Sequence, residues 1–468
     1  MNILYAVSEA APFIKTGGLA DVAGSLPKAL CEKGHDARVI LPLYARISDE
    51  WREKMEFLFH TYVKVAWRSQ YCGLFRLLHE GVTYYFVDNE YYFKRDSIYG
   101  DLDDGERFAF FSRAVVELIP LLDWTPDIVN CNDWQTALIP IYLREESSRV
   151  RSVFTIHNME YQGRFGLETA SDVFGLSESL FERGIVRFEN DVNLVKGAIY
   201  QSDRVCTVSP GYAEELRDPF FAHGLHLVIA DNAYKFSGIV NGLDTVRYDP
   251  WKDKLICKNF NAFKPLGKKA CKKALCREIG FDENDDSPII SCVSRLVGHK
   301  GFDLVEQAAD AIVEKGARLI ILGTGDKYFE DAFAAAEQRH KGRISANIMY
   351  SEKRAMTIYA GSDMILMPSR SEPCGLTQMI AMRYGTIPIV RAVGGLKDTI
   401  RPYGTKDANG FNFYEYSTHG MLGAIDYALT VWQDKKAWLA LQKKDMSEDL
   451  SWSSSADKYL ELYNNALN

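Results

Sequence analysis

The sequence predicts an α/β protein built from two doubly wound, parallel-sheet domains, and three observations carry that prediction. Short apolar runs alternate with helically spaced apolar patterns in both halves of the chain, as in successive strand–helix units. At 468 residues the chain is too long for a single hydrophobic core, so two large domains are expected. Polar, charged or glycine residues follow nearly every apolar run, and open α/β sheets bind ligands at the carboxyl ends of their strands. The expected divisions are 1–240, 241–440 and a terminal helical segment, 441–468.

In the first half, NILYAVS (2–8) reads as a buried strand. Val22, Ala23, Leu26, Ala29 and Leu30 then recur at helical spacing, and Gly34 is placed to end that helix. Pro27 lies inside it and is expected to kink or split it. ARVILPLY, TYYFVD, DIVNCND, VFTIHN and DRVCTVS are the following strands, with helices over 108–122 and 133–144. The stretch 161–196 is polar, aromatic and weakly periodic.

A second series begins after VNGLD (240–244). PIISCVSRL, RLIILGTG, ANIMYS, DMILMPS and TIPIVRA read as strands, separated by helices such as LVEQAADAIVEKG and KYFEDAFAAAEQRH. The lysine-rich stretch 252–273 reads as a linker plus a surface helix, and the chain from about Trp438 is helical and amphipathic.

Bulk properties exclude several classes. A formal charge of −8, with no region strongly basic as a block, argues against nucleic acid as a partner. No apolar run approaches the roughly 20 residues of a membrane span, so no membrane partner is expected. The nine scattered cysteines include no CxxC pair, and Cys271 and Cys276 have no histidines near them. Reduced thiols and a cytoplasmic location are therefore expected.

The residues beyond the strands could carry chemistry, and each has a bland reading beside it. Lys15-Thr16-Gly17-Gly18 fits neither the Walker pattern nor GxGxxG. Its glycines read as a tight turn, or as an opening where an anion meets a helix N-terminus. Arg295 and Lys300 bracket a strand-to-helix turn and are either solvated or a pyrophosphate grip. Glu372 is a capping carboxylate or a ligand for sugar hydroxyls, and the N–H groups of Gly375 to Thr377 could receive phosphate. His157 could be an acid/base, a donor or a structural histidine, and Asp133 carries the same ambiguity. Cys374 has no base near it in sequence, so packing is its better reading.

Five blocks taken together resemble the bacterial glycogen synthase and plant starch synthase family of glycosyltransferases. They are KTGGLADV (15–22), SVFTIHN (152–158), VNGLD (240–244), SRL with Lys300-Gly301, and PSR through EPCGLTQ (368–378). The resemblance runs nearly end to end. It implies a GT-B fold, two Rossmann-like domains facing a cleft, with a C-terminal helix returning to the first domain. It also implies retaining transfer of glucose from ADP-glucose to the non-reducing 4-OH of an α-1,4-glucan such as glycogen, with no cofactor or metal. In family members Lys15, Arg295 and Lys300 would contact the donor's phosphates, and His157 and Glu372 would line the glucose pocket. Asn241 would lie near the glucose. Gly18, Asp21, Tyr350, Cys374, Gly375, Leu376 and Thr377 are assigned to substrate binding on the same basis, and Asp133 to catalysis.

Two departures stand out. The family often shows His-Asp-Trp-His where this chain has Asn132-Asp133-Trp134-Gln135, so acceptor preference is expected to differ. Ile380 occupies the place of a second glutamate found in some related transferases, so a paired-carboxylate mechanism is not supported. Two rivals fit less well: a GT-B enzyme using UDP-glucose or another acceptor, and a silent glucan-binding homologue.

Overall fold

In this computed structural model all 468 residues, Met1–Asn468, are described. The chain divides into two units, Met1–Gly242 with Trp452–Asn468, and Leu243–Ser451. In the first, the strands are β1 (Asn2–Ala6), β2 (Asp36–Pro42), β3 (Glu56–Val65), β4 (Arg68–His79), β5 (Val82–Asp88), β6 (Ile128–Asn132) and β7 (Arg151–Ile156). They continue with β8 (Arg164–Gly166), β9 (Arg187–Phe188), β10 (Asp191–Asn193), β11 (Arg204–Thr207) and β12 (Phe236–Gly238). The second unit holds β13 (Ile289–Val293), β14 (Arg318–Leu322), β15 (Ile344–Asn347), β16 (Met364–Met367), β17 (Ile387–Arg391) and β18 (Phe411–Phe413).

The main sheet of the first unit runs β12-β11-β7-β6-β1-β2-β5-β4-β3. Its strands are parallel from β12 to β5, while β4 and β3 add an antiparallel hairpin at one edge. Central strands such as β1 and β6 are buried along almost their whole length, which is why they read as continuous apolar runs. The hairpin escaped the sequence reading because Phe57, Tyr62 and Tyr71 point outward and blur the alternation. The weakly periodic stretch contains a second, three-stranded sheet, β8-β10-β9.

The sheet of the second unit is wholly parallel, in the order β15-β14-β13-β16-β17-β18. That is the doubly wound order, in which the direction of winding reverses between the first strand and the fourth. Here the reversal falls between β13 and β16. In the first unit the corresponding reversal falls between β1 and β6. Both pairs of loops therefore leave room for a ligand at a switch point.

Several expectations need correction. Pro27 does not split its helix, which is continuous from Gly18 to Glu32 with Pro27 buried inside it. The strand expected over 346–351 lies at Ile344–Asn347, because Ile344 is buried while Met349 and Tyr350 are exposed. The helix expected from 133 begins only at Leu138, since Asp133 has φ 56° and cannot enter a helix. The lysine-rich helix Leu266–Ile279 is not merely superficial. Its Lys268 is buried, with Nζ donating to the carbonyls of Tyr359 (3.1 Å), Ala360 (3.2 Å) and Tyr384 (2.8 Å).

The terminal segment changes unit at Trp452 rather than at 441. Helix Lys435–Ser447 stays with the second unit, where Leu441 and Met446 are buried and Gln442 Nε2 donates to Gly385 O (2.8 Å). Helix Trp452–Leu467 packs on the first unit against helix Gly18–Glu32 and β7. Lys33 pairs with Asp457 (2.7 Å), and Tyr463 donates to Asn130 Oδ1 (3.0 Å). Gly242 admits this helix closely: a Cβ there would lie 2.5 Å from Trp452 Cα.

Candidate active site

In the second unit, the loops after β13 and β16 meet at the switch point. Gly301 has φ 79°, and a Cβ on it would lie 2.1 Å from Pro368 O, so only glycine lets the two loops touch. This contact brings Lys300 to Glu372. Lys300 Nζ donates to Glu372 Oε1 (2.8 Å) and Oε2 (2.7 Å), and Ser369 Oγ also donates to Oε2 (2.9 Å). Glu372 is buried, 7% exposed, so the lysine compensates a charge that water cannot reach. Arg295 is different. It is exposed and its side chain makes no hydrogen bond or ion pair with the protein, leaving its guanidinium free for an anion.

The turn after Glu372 is held from below. A Cβ on Gly395 would lie 2.2 Å from Cys374 O, and Gly395 N donates to Glu372 O (3.0 Å). Gly375 has φ 76°, and the buried Gln378 donates to the carbonyls of Cys374 (3.0 Å) and Gly375 (2.9 Å). Leu376 is the N-cap of the short helix Thr377–Arg383, where no side chain caps the first N–H groups. Cys374 is buried in the turn, and Tyr350 stands 86% exposed.

In the first unit, the loop after β1 is organised by a residue the sequence reading missed. Glu9, only 3% exposed, accepts from Thr16 N (2.5 Å) and Thr16 Oγ1 (2.8 Å). Burial raises its pKa, and the Thr16 and Gly17 donors pull it back. Its position directly after NILYAVS was the available signal. Lys15 Nζ is bracketed by both oxygens of Asp21 at 2.7 Å. Neither Gly17 nor Gly18 has positive φ, and a Cβ on Gly18 would meet nothing within 4 Å. Neither turn geometry nor packing requires Gly18. Open space above an uncapped helix N-terminus suits an approaching anion.

Beside it, the loops after β6 and β7 join. Asp133 Oδ1 accepts from His157 N (2.7 Å), and the Asn158 N–H also faces the carboxylate and favours its charged form. Burial pushes its pKa up to about 7 against those two donors. His157 is pushed down to about 3 by burial, so its ring is neutral. Asn132 fixes the tautomer: its Nδ2 donates to Ala6 O (3.0 Å), so its Oδ1 faces His157 Nε2 (2.9 Å) and Tyr5 OH (2.9 Å). Nε2 therefore carries the proton, and Nδ1 is the acceptor. A cavity of about 520 Å³ adjoins these loops, lined by Trp134, Tyr161, Phe165, Glu160 and Arg164 among others. Asn241 is buried and its Oδ1 has no partner. No group of three or more His, Cys, Asp or Glu side chains is arranged to hold a metal ion.

Two doubly wound units with cationic loops at their switch points define a glycosyltransferase of the GT-B type. Residues 2–231 match the starch synthase catalytic domain, and residues 279–443 match the glycosyl transferases group 1 family. The chain belongs to the glycogen synthase and starch synthase family. It is 46% identical to the glycogen synthase of Clostridium botulinum (strain Alaska E43 / Type E3), covering 99% of each chain. To that of Anoxybacillus flavithermus it is 45% identical, covering 99% of this chain and 97% of the other. The catalytic domain of starch synthase IV from Arabidopsis thaliana, solved with ADP and acarbose, superposes with a TM-score of 0.92. That match has 35% identity and covers 100% of this chain and 99% of that one. Sucrose-phosphate synthase from Thermosynechococcus elongatus shares the fold, with a TM-score of 0.62 at 16% identity over 99% of this chain and 98% of that one.

Proposed function

We propose that the chain transfers glucose from ADP-glucose to the non-reducing 4-OH of an α-1,4-glucan such as glycogen, with retention, releasing ADP. The observation that carries this reading is the loop pair at the β13/β16 switch point: a free, exposed Arg295 on the same loop as Lys300, which pairs with the buried Glu372. Breaking the anomeric C–O bond leaves charge on the departing diphosphate, and fixed cations stabilise it without reorganising. Arg295 and Lys300 take that role, with backbone N–H groups of Gly375, Leu376 and Thr377 assisting. Lys15 and the helix N-terminus beyond Gly18 offer a second cationic position, with Lys15 aimed by Asp21. Tyr350, exposed at a strand-end loop, suits stacking on a planar base.

The glucose is read by His157, Glu372 and Asn241. A neutral His157 does not act as a cationic acid. It offers Nδ1 to a sugar hydroxyl and keeps Nε2–H on Asn132. Retention follows from attack on the face that the phosphate leaves, with the phosphate oxygen accepting the acceptor's proton. Asp133 holds the His157 backbone in place. The aromatic-lined cavity at Trp134 and Tyr161 suits the glucan, because sugar faces stack on rings while hydroxyls reach Glu160 and Arg164. No metal enters this scheme.

Labelled glucose transfer to glycogen, with ADP-, UDP- and GDP-glucose compared, tests the reading. ADP-glucose should be the preferred donor, and chelation with EDTA should leave the rate unchanged. Preference for UDP-glucose would replace the donor assignment. Glycogen binding without ADP release would identify a silent homologue.

A further inference from the structure

The cysteines of the second unit are not arranged as their sequence spacing suggests. Cys276 is nearest to Cys271 along the chain, but Cys276 lies beside Arg318 Nη1 (3.4 Å). The thiol that approaches Cys271 is that of Cys257, with Sγ to Sγ at 3.7 Å. All nine cysteines are free thiols in this structure.

Both partners are held in place. Cys271 is buried on helix Leu266–Ile279, and its Sγ donates to Lys258 O (3.2 Å). The same helix is anchored by Lys268 in the carbonyl cage described above. Cys257 is exposed but lies between two buried anchors, Ile256 and Phe260. Asn259 ties that loop down further, donating to Pro250 O (3.1 Å) and Asp253 O (2.7 Å). Bonded sulfurs lie about 2.05 Å apart, so a disulfide requires a small closing motion of one loop.

We propose that Cys257 and Cys271 are a reversible disulfide site, oxidised by low-molecular-weight disulfides such as glutathione disulfide. The exposed Cys257 thiolate attacks one sulfur of the oxidant, its S–S bond breaks, and one thiol is released. The Cys271 sulfur then attacks Cys257 Sγ, expelling the second thiol, which takes up the Cys271 proton. Two protein thiols are oxidised by two electrons and one external disulfide is reduced to two thiols. Exposed Lys254 and Lys258 flank Cys257 and favour an anionic oxidant. Burial pushes the Cys271 thiol up to about 11, which suits it to the second, intramolecular step rather than to first attack. The closed loop spans about 15 residues and restrains the unfolded chain.

The test uses the full chain incubated with glutathione disulfide, alkylated with N-ethylmaleimide, and mapped by non-reducing peptide mass spectrometry. A Cys257–Cys271 linked peptide should appear and vanish on dithiothreitol treatment, and the oxidised protein should melt several degrees higher. In Cys257→Ser the link and the shift should both be lost. In Cys271→Ser, Cys257 should accumulate as the glutathione adduct. Recovery of both residues as alkylated thiols in the wild type, or of Cys257 only as the adduct, would overturn the proposal.

Discussion

Arg295 and Lys300 share one loop, yet their removal should have different consequences. Lys300→Ala leaves Glu372 buried without its cation, a loss on the scale of roughly 3–5 kcal/mol of stability. Arg295 is exposed and unpaired, so Arg295→Ala should leave the melting temperature nearly unchanged. Both should lower turnover by ~100–1000-fold if they stabilise the leaving phosphate. A fall of less than about tenfold in either would remove that residue from the role. Lys15→Ala should weaken ADP-glucose binding, read by calorimetry, and leave the fold intact.

Asp133 has a pH signature of its own. Its pKa is raised in the folded state, from 3.8 to about 7. Its contribution to stability is therefore present in full below pH 3.8 and is lost as pH rises through about 7. Relative to Asp133→Asn, the wild type should lose unfolding free energy between pH 4 and 8 in denaturant titrations, and a rising difference would contradict the assignment. These residues were visible in the sequence because strand ends are where chemistry collects. Glu9 was not singled out, since its work is to hold backbone N–H groups that only the folded loop presents.

At the scale of elements, glycines mark where backbones touch. Gly242→Ala would drive a Cβ into the backbone of Trp452 and force the last helix outward, costing about 1–3 kcal/mol. Thermal denaturation checks this, and an unchanged melting temperature would show that the contact yields. The helix beginning at Gly18, the parallel strands and most of their limits were legible from apolar spacing. The β3–β4 hairpin was not, because its exposed aromatics obscure a period of two. Lys268 was misread as surface for a related reason: a lysine is buried only when a cage of carbonyls exists to receive it.

For the whole molecule, the return of the chain to its first unit is the decisive feature. Trp452, Tyr459, Leu462 and Tyr463 are buried there, at about 1.5–3 kcal/mol for each large side chain. A chain ending at Ser451 should therefore show an early, separate melting transition of the first unit by calorimetry, and a single unshifted transition would refute this. The sequence by itself determined the α/β class, the two winding series and the loops that carry Lys15, Asp133, His157, Arg295, Lys300 and Glu372. Those follow from local periodicity and from the rule that ligands meet strand ends. Only the tertiary structure decided that Lys300 is paired with Glu372 while Arg295 is free, that Asn132 sets the His157 tautomer, and that Cys257 faces Cys271. The reason is physical: burial and pairing arise between segments far apart in the chain, and spacing within one segment carries no record of them.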